Sequence, residues 1–248
     1  MTSPRNAVAR DTGRWYSIPG YGQEMISVTN VLGVIGTPAF AKSAAKRAAE
    51  CAVNEEATWR AIEQEEGKDA ALRWIKESPT RYMHERGELG TAVHHACEHL
   101  DRERSAEVAP FVAAYERWFE RDKPEIIAQE VTVFHPERGY AGTADLVVRM
   151  PSGKVYIADV KSGFLAKKAA LQTCAYARAT HYVKGDASAP VPWAIDGAFV
   201  IDLKAATPSG EYKIQYCDIG EESWRTFTAC LNLWAFEERR DVFGAEWR

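Results

Sequence analysis

The hydrophobic pattern of the chain changes period near its middle. From about residue 37 to 122, apolar positions recur at three- and four-residue intervals amid Ala, Lys, Arg and Glu, as amphipathic helices require. Thr37 followed by Pro38 reads as an N-cap with proline at the first helical position, opening a helix to about residue 53. A second helical stretch covers roughly 55–77. Ser78-Pro79-Thr80 starts a third, to about Arg102, in which Gly87 and Gly90 mark a break or a close backbone approach. A fourth spans about 107–122, with Phe111, Tyr115, Trp118 and Phe119 as its apolar stripe. Strand patterns then take over at about 126–134, 140–149 and 154–161. A helix at about 166–184, strands near 195–203 and 211–218, and a closing helix at about 220–240 complete the chain. Residues 1–24 carry no period and are expected to form a flexible arm. The rest, 25–248, has no repeat or linker and reads as a single α/β (α+β) domain, a central mixed β-sheet flanked by helices with a helical N-terminal half.

Composition narrows the setting. A content of 46% hydrophobic and 27% charged residues is that of a globular domain, and no apolar run reaches the roughly 20 residues a membrane helix needs. The first residues lack an apolar signal core, and five scattered cysteines form no framework, so a reduced, cytoplasmic protein is expected. The net charge of −4 supplies no global attraction for nucleic acid, leaving local patches to do so. Lys42/Lys46/Arg47 and Lys161/Lys167/Lys168 are the candidates, and each taken alone reads as a solvated helix face.

The chemistry concentrates in one predicted hairpin. Ala141 to Arg149 and Val155 to Lys161 flank Pro151-Ser152-Gly153, which is turn chemistry. Pairing about Ser152 sets Asp145 opposite Asp159, each seven positions from the centre. Directly opposed like charges are destabilising, so the pair implies a cation between the carboxylates. Lys161 projects from the same strand face as Asp159. A bulge at Gly153 could move this register by one residue. On the third helix, His94 shares a face with Glu98, and His95 with His99. His95-Ala96-Cys97-Glu98-His99 also fits the H-x-x-E-H pattern of inverted zinc proteases, yet no acidic residue occurs over 165–182 to serve as third ligand.

Four blocks in order carry a family resemblance. Arg86-Gly87 with Gly90-Thr91-Ala92-Val93-His94, then Gly142-Thr143-Ala144-Asp145, then Asp159-Val160-Lys161-Ser162-Gly163, then Gln172-Thr173-Cys174-Ala175-Tyr176 resemble the motifs of RecB-like nucleases and their CRISPR-associated relatives in the PD-(D/E)xK superfamily. Ser27-Val28-Thr29 with Leu32 looks like phage-encoded members. The resemblance implies a restriction-endonuclease-like core and a metal-dependent DNA exonuclease for recombination or end processing. An endonuclease, an RNA-acting nuclease or a non-catalytic DNA-binding module of the same fold stay open. It further implies that His94, Asp145, Asp159 and the Val160 carbonyl hold one or two Mg²⁺ or Mn²⁺ ions. Lys161 would activate water, and Gln172 and Tyr176 would position phosphate or brace the lysine. The implied partners are DNA ends and a recombination protein, in a host cytoplasm if the protein is phage-borne. The iron–sulfur cluster of the CRISPR-associated relatives is not expected, because Cys174, Cys217 and Cys230 lack its clustered spacing, and no phosphate-binding loop suggests a helicase. Trp118, Trp224 and Trp234 read as core, whereas Trp15 and Tyr16 are the candidates for base stacking.

Overall fold

The computed structural model describes residues 6–36, 38–100, 104–163, 166–204 and 211–238. Its fold is α+β, built on a large mixed sheet, and it divides into two compact units, Met1–Ile35 with Val93–Arg248 and Gly36–Ala92. The helices of 36–92 make their contacts chiefly among themselves, which sets them apart as a unit within the stretch 25–248.

The helical unit holds α2 (Pro38–Asn54), α3 (Glu56–Glu66) and the first part of α4 (Lys68–His99). The expected cap at Thr37 lies outside the described residues. Ser78-Pro79 does not start a helix, since α4 runs straight through it. Proline at 79 removes the amide that would bond the carbonyl of Ile75, and the Ser78 hydroxyl donates to that carbonyl instead at 2.8 Å. The chain breaks earlier, at Gly67, whose φ of +90° ends α3. Gly87 meets no close neighbour and interrupts nothing. The patch Lys42/Lys46/Arg47 takes its bland reading in part: Lys46 and Arg47 pair with Glu50, and Arg47 lies over the Tyr82 ring.

The sheet unit begins where a loose arm was expected. β1 (Ala7–Arg10) and β2 (Gly13–Tyr16) form a hairpin, and β2 pairs with β3 (Met25–Ser27). Tyr16 is thereby buried, its hydroxyl on Thr143, and Trp15 packs edge-on against Trp234, so neither is a free stacking platform. The short α1 (Val28–Val31), capped by the Ser27 hydroxyl, follows. After α5 (Ala109–Asp122) come β4 (Glu125–His135), β5 (Tyr140–Arg149) and β6 (Val155–Lys161). The helix expected over 166–184 is shorter, α6 (Lys168–Ala177), and its tail is a hairpin of β7 (His181–Lys184) and β8 (Ala187–Pro190). β9 (Gly197–Lys204), β10 (Glu211–Cys217) and α7 (Glu221–Glu237) end the unit.

Helices cover both faces of β9. Trp118 of α5, fully buried, meets Phe199, while Ala198, on the opposite face, joins the core of Ala175, Tyr176 and Phe227 from α6 and α7. Tyr140 donates from its hydroxyl to the Ala175 carbonyl at 2.9 Å and stacks edge-on against Phe227. Among the described residues no helix is long and apolar enough to cross a membrane.

Candidate active site

β5 is the strand on which the sheet divides. One edge pairs with β4 along its length, while the other is shared between β3, which meets it in parallel at Tyr140 and Ala141, and β6, which meets it antiparallel over 146–149. Among the described residues no strand pairs with Gly142 to Asp145 on that edge. Beyond Ala158, β6 stays with β9 and leaves β5. The opening so formed contains all of the strand-borne candidate residues.

The β5–β6 ladder keeps the register expected from the sequence, from Arg149↔Val155 to Leu146↔Ala158, and ends one rung before Asp145 and Asp159. Its loop turns at Gly153, where φ is +83° and the amide donates to the Met150 carbonyl. In place of the next rung, the Val160 amide donates to Asp145 Oδ2 at 2.7 Å. The β4–β5 ladder likewise passes over one rung, for Gln129↔Leu146 and Val131↔Ala144 bracket Glu130 and Asp145. Three carboxylates, Glu130, Asp145 and Asp159, thus occupy one row across three adjacent strands.

Each end of the row has its own partner. Asp159 is 1% exposed, and the Lys161 ammonium lies 2.8 Å from Oδ1 and 2.7 Å from Oδ2. Burial pushes the Asp159 carboxyl above its ordinary range, with Lys161 opposing and Asp145 adding to the shift. Burial alone would lower the Lys161 ammonium, but the carboxylates of Asp159 and Asp145 outweigh it and hold the group above its usual value, hence charged. From α6, Gln172 donates to Asp159 Oδ1 at 3.3 Å and to the Tyr176 hydroxyl at 3.1 Å, so the amide ties helix to strand. The Tyr176 ring fills the space beside Gly142, where a Cβ would come within 2.4 Å of it. Burial raises the Tyr176 hydroxyl well above its ordinary value, so it stays protonated.

At the other end, His94 of α4 brings Nδ1 to 3.6 Å from Asp145 Oδ2. His94, Glu130 and Asp145 each offer a ligand atom, and these atoms lie within 4.8 Å of one another, the one such group of three among the described residues. Glu130 was not singled out by the sequence. Burial, with the neighbouring Asp145 carboxylate, pushes it up to about 7, opposed by His94. Its backbone has φ of +46°, a strained conformation for a non-glycine residue. The recess here encloses about 10 Å³, room for about one water-sized occupant, and is lined also by Glu98, Cys97, Tyr115 and Val160. Burial pushes the Cys97 thiol up to about 12, so it is a neutral thiol and the anionic or basic donors are oxygens and one imidazole. The His95 and His99 rings stack on each other at 4.3 Å, outside the ligand group. Val160 lines the recess, while Asp159, Lys161, Gln172 and Tyr176 form a second, adjoining network.

No protein-family profile and no curated protein sequence matches this chain.

Proposed function

We propose that the protein is a divalent-metal-dependent deoxyribonuclease of the RecB-like PD-(D/E)xK type, acting on DNA ends as an exonuclease. The observation that carries this reading is the carboxylate row Glu130–Asp145–Asp159 at the sheet opening, with His94 at one end and Lys161 at the other. The donor set fits a hard divalent cation: carboxylates and one imidazole around an ion-sized recess, with no thiolate. His94, Glu130 and Asp145 would hold Mg²⁺ or Mn²⁺, with Asp159 and Val160 bordering the site. When bound, such an ion supplies a Lewis acid for the phosphate and lowers the pKa of bound water.

The chain's own groups complete the chemistry. Lys161, held charged by two carboxylates, places a fixed ammonium where phosphodiester cleavage develops negative charge. Gln172 fixes the Asp159 carboxylate that in turn orients this ammonium. Tyr176, protonated and packed against Gly142, holds Gln172 in place. A cytoplasmic location and a recombination partner go with this reading.

The test is degradation of end-labelled linear DNA with Mn²⁺ or Mg²⁺. Wild type is expected to release short products, and Asp145→Asn, Asp159→Asn and Lys161→Met to release none while remaining folded. Cutting of closed circular DNA would replace the exonuclease reading by an endonuclease one. Undiminished activity of Asp145→Asn would end the metal-centre assignment.

A further inference from the structure

The open edge of β4 borders a groove that the site just described does not use. β7 pairs with β4 at Val133 and Phe134, and among the described residues no strand pairs with this edge of β4 N-terminal to them. Residues 127–132 of β4 form one wall, and Tyr182 to Gly185 with Pro192 and Trp193 form the other. The groove encloses about 450 Å³, within the roughly 300–1,000 Å³ of small-ligand sites and suited to one nucleotide rather than a duplex. Gln129 and Glu130 line both this groove and the recess of the candidate metal centre, so the two adjoin across β4.

The lining has the chemistry of a nucleotide site. Tyr182 and Trp193 pack with ring centroids 4.9 Å apart, and Trp193 is half-buried, as a supported stacking platform should be. Lys184 stands exposed at the rim, and Glu130, at the metal end, is the sole carboxylate of the lining. Asn6, whose φ is +68°, also contributes to the wall.

Resting on the nuclease reading, we infer that this groove takes the nucleotide beside the scissile phosphate as a single strand, its base stacked on Trp193 and its backbone near Lys184. A strand drawn through the groove passes the carboxylate row at Glu130, which would deliver one phosphate at a time to the centre.

The experiment measures KM and kcat on an end-labelled single-stranded oligonucleotide with Mn²⁺, together with binding of the same oligonucleotide by fluorescence anisotropy in chelator. Trp193→Ala is expected to weaken binding and raise KM about tenfold, about what one base stack supplies, with kcat nearly unchanged. Trp193→Phe should restore most of the loss. One abasic nucleotide, walked along the strand, should reproduce the tenfold penalty at one position in wild type and add nothing there in Trp193→Ala. Equal abasic penalties in both proteins, or an unchanged KM, would overturn the inference. So would a Trp193→Ala effect confined to dissociation of an oligomer, which would make the groove a chain–chain contact. If wild type degrades no DNA, the nuclease reading fails by itself. Anisotropy then still decides the groove: Trp193-dependent binding upholds it, and absence of binding removes it.

Discussion

Asp145 has a carboxylate neighbour on either side, and the protein treats the two differently. Toward β6 the neighbour is Asp159, almost fully buried and held by the Lys161 ammonium and the Gln172 amide. Toward β4 the neighbour is Glu130, which shares its space with His94 and Asp145 and is pushed up to about 7 by burial and by that crowding. One side carries its cation within the fold; the other gathers ligand atoms around a space. The difference teaches where an added ion belongs, because opposed carboxylates without a cation oppose folding. The two sides should respond oppositely to neutralisation.

The largest effect is expected on the β6 side. Lys161→Ala leaves a buried carboxylate without its cation, and breaking one partner of a buried pair costs about 3 kcal/mol or more. Urea denaturation in chelator should show that loss. The double variant Lys161→Ala/Asp159→Asn should recover most of the stability and none of the activity. If the single variant were as stable as wild type, Lys161 would be no structural counter-ion, and the contrast between the two sides would disappear.

A middle-sized effect tests what keeps the two sides in register. Gly142 lies on the unpaired edge of β5, and a Cβ there would enter the Tyr176 ring at 2.4 Å. Gly142→Ala should cost about 1–3 kcal/mol of overpacking and shift Tyr176 and Gln172 together, since one hydrogen bond joins them. Activity should fall further than stability alone explains, with kcat reduced more than KM. Tyr176→Ala in the same background should remove the clash while emptying a core position, so the double variant should lose less stability than the sum of the two single variants, with kcat still low. A Gly142→Ala protein with native kcat would show that the brace from α6 to Asp159 is dispensable.

The sequence reveals one side of this comparison more readily than the other, for a physical reason. The β5–β6 loop is short and centred on Ser152, so equidistant pairing finds Asp159 opposite Asp145 without any structure. The same arithmetic about the turn 136–139 sets Glu130 opposite Asp145, but β4 is an irregular strand, with a register shift between Ile126 and Ala128 and a positive φ at Glu130. His94 could be tied to this site only through the family resemblance, because nothing local links a helix near residue 94 to a strand fifty positions later. Elsewhere, apolar residues at 181–184 continued the helical pattern of α6, although Gly185-Asp186 is a hairpin turn signal. Asp11-Thr12-Gly13 similarly announces the β1–β2 turn within a segment that its arginines and glycines made look unstructured. Pro79 misled in the opposite direction, since Ser78 compensates for the missing amide through a bond that only the helix geometry makes.

The smallest effect on stability, and the sharpest test of the contrast, lies on the β4 side. Glu130→Gln removes a carboxylate from beside Asp145 while keeping its shape, so in chelator the variant should be no less stable than wild type. Addition of Mn²⁺ should raise the thermal midpoint of wild type, since an ion that binds only the folded state stabilises it. In Glu130→Gln that increase should shrink, with at least about tenfold weaker Mn²⁺ affinity by calorimetry, at the low end of what losing even an indirect metal partner costs. Lys161→Met should show the reverse profile, losing stability in chelator yet still responding to Mn²⁺ through His94, Glu130 and Asp145. Equal Mn²⁺ responses in wild type and Glu130→Gln would move the ion away from β4 and leave Glu130 as a strained carboxylate with another task. The opposite signs expected for Glu130 and Lys161 in chelator follow from geometry alone: one neighbour of Asp145 already has its ammonium, and the other has only ligands.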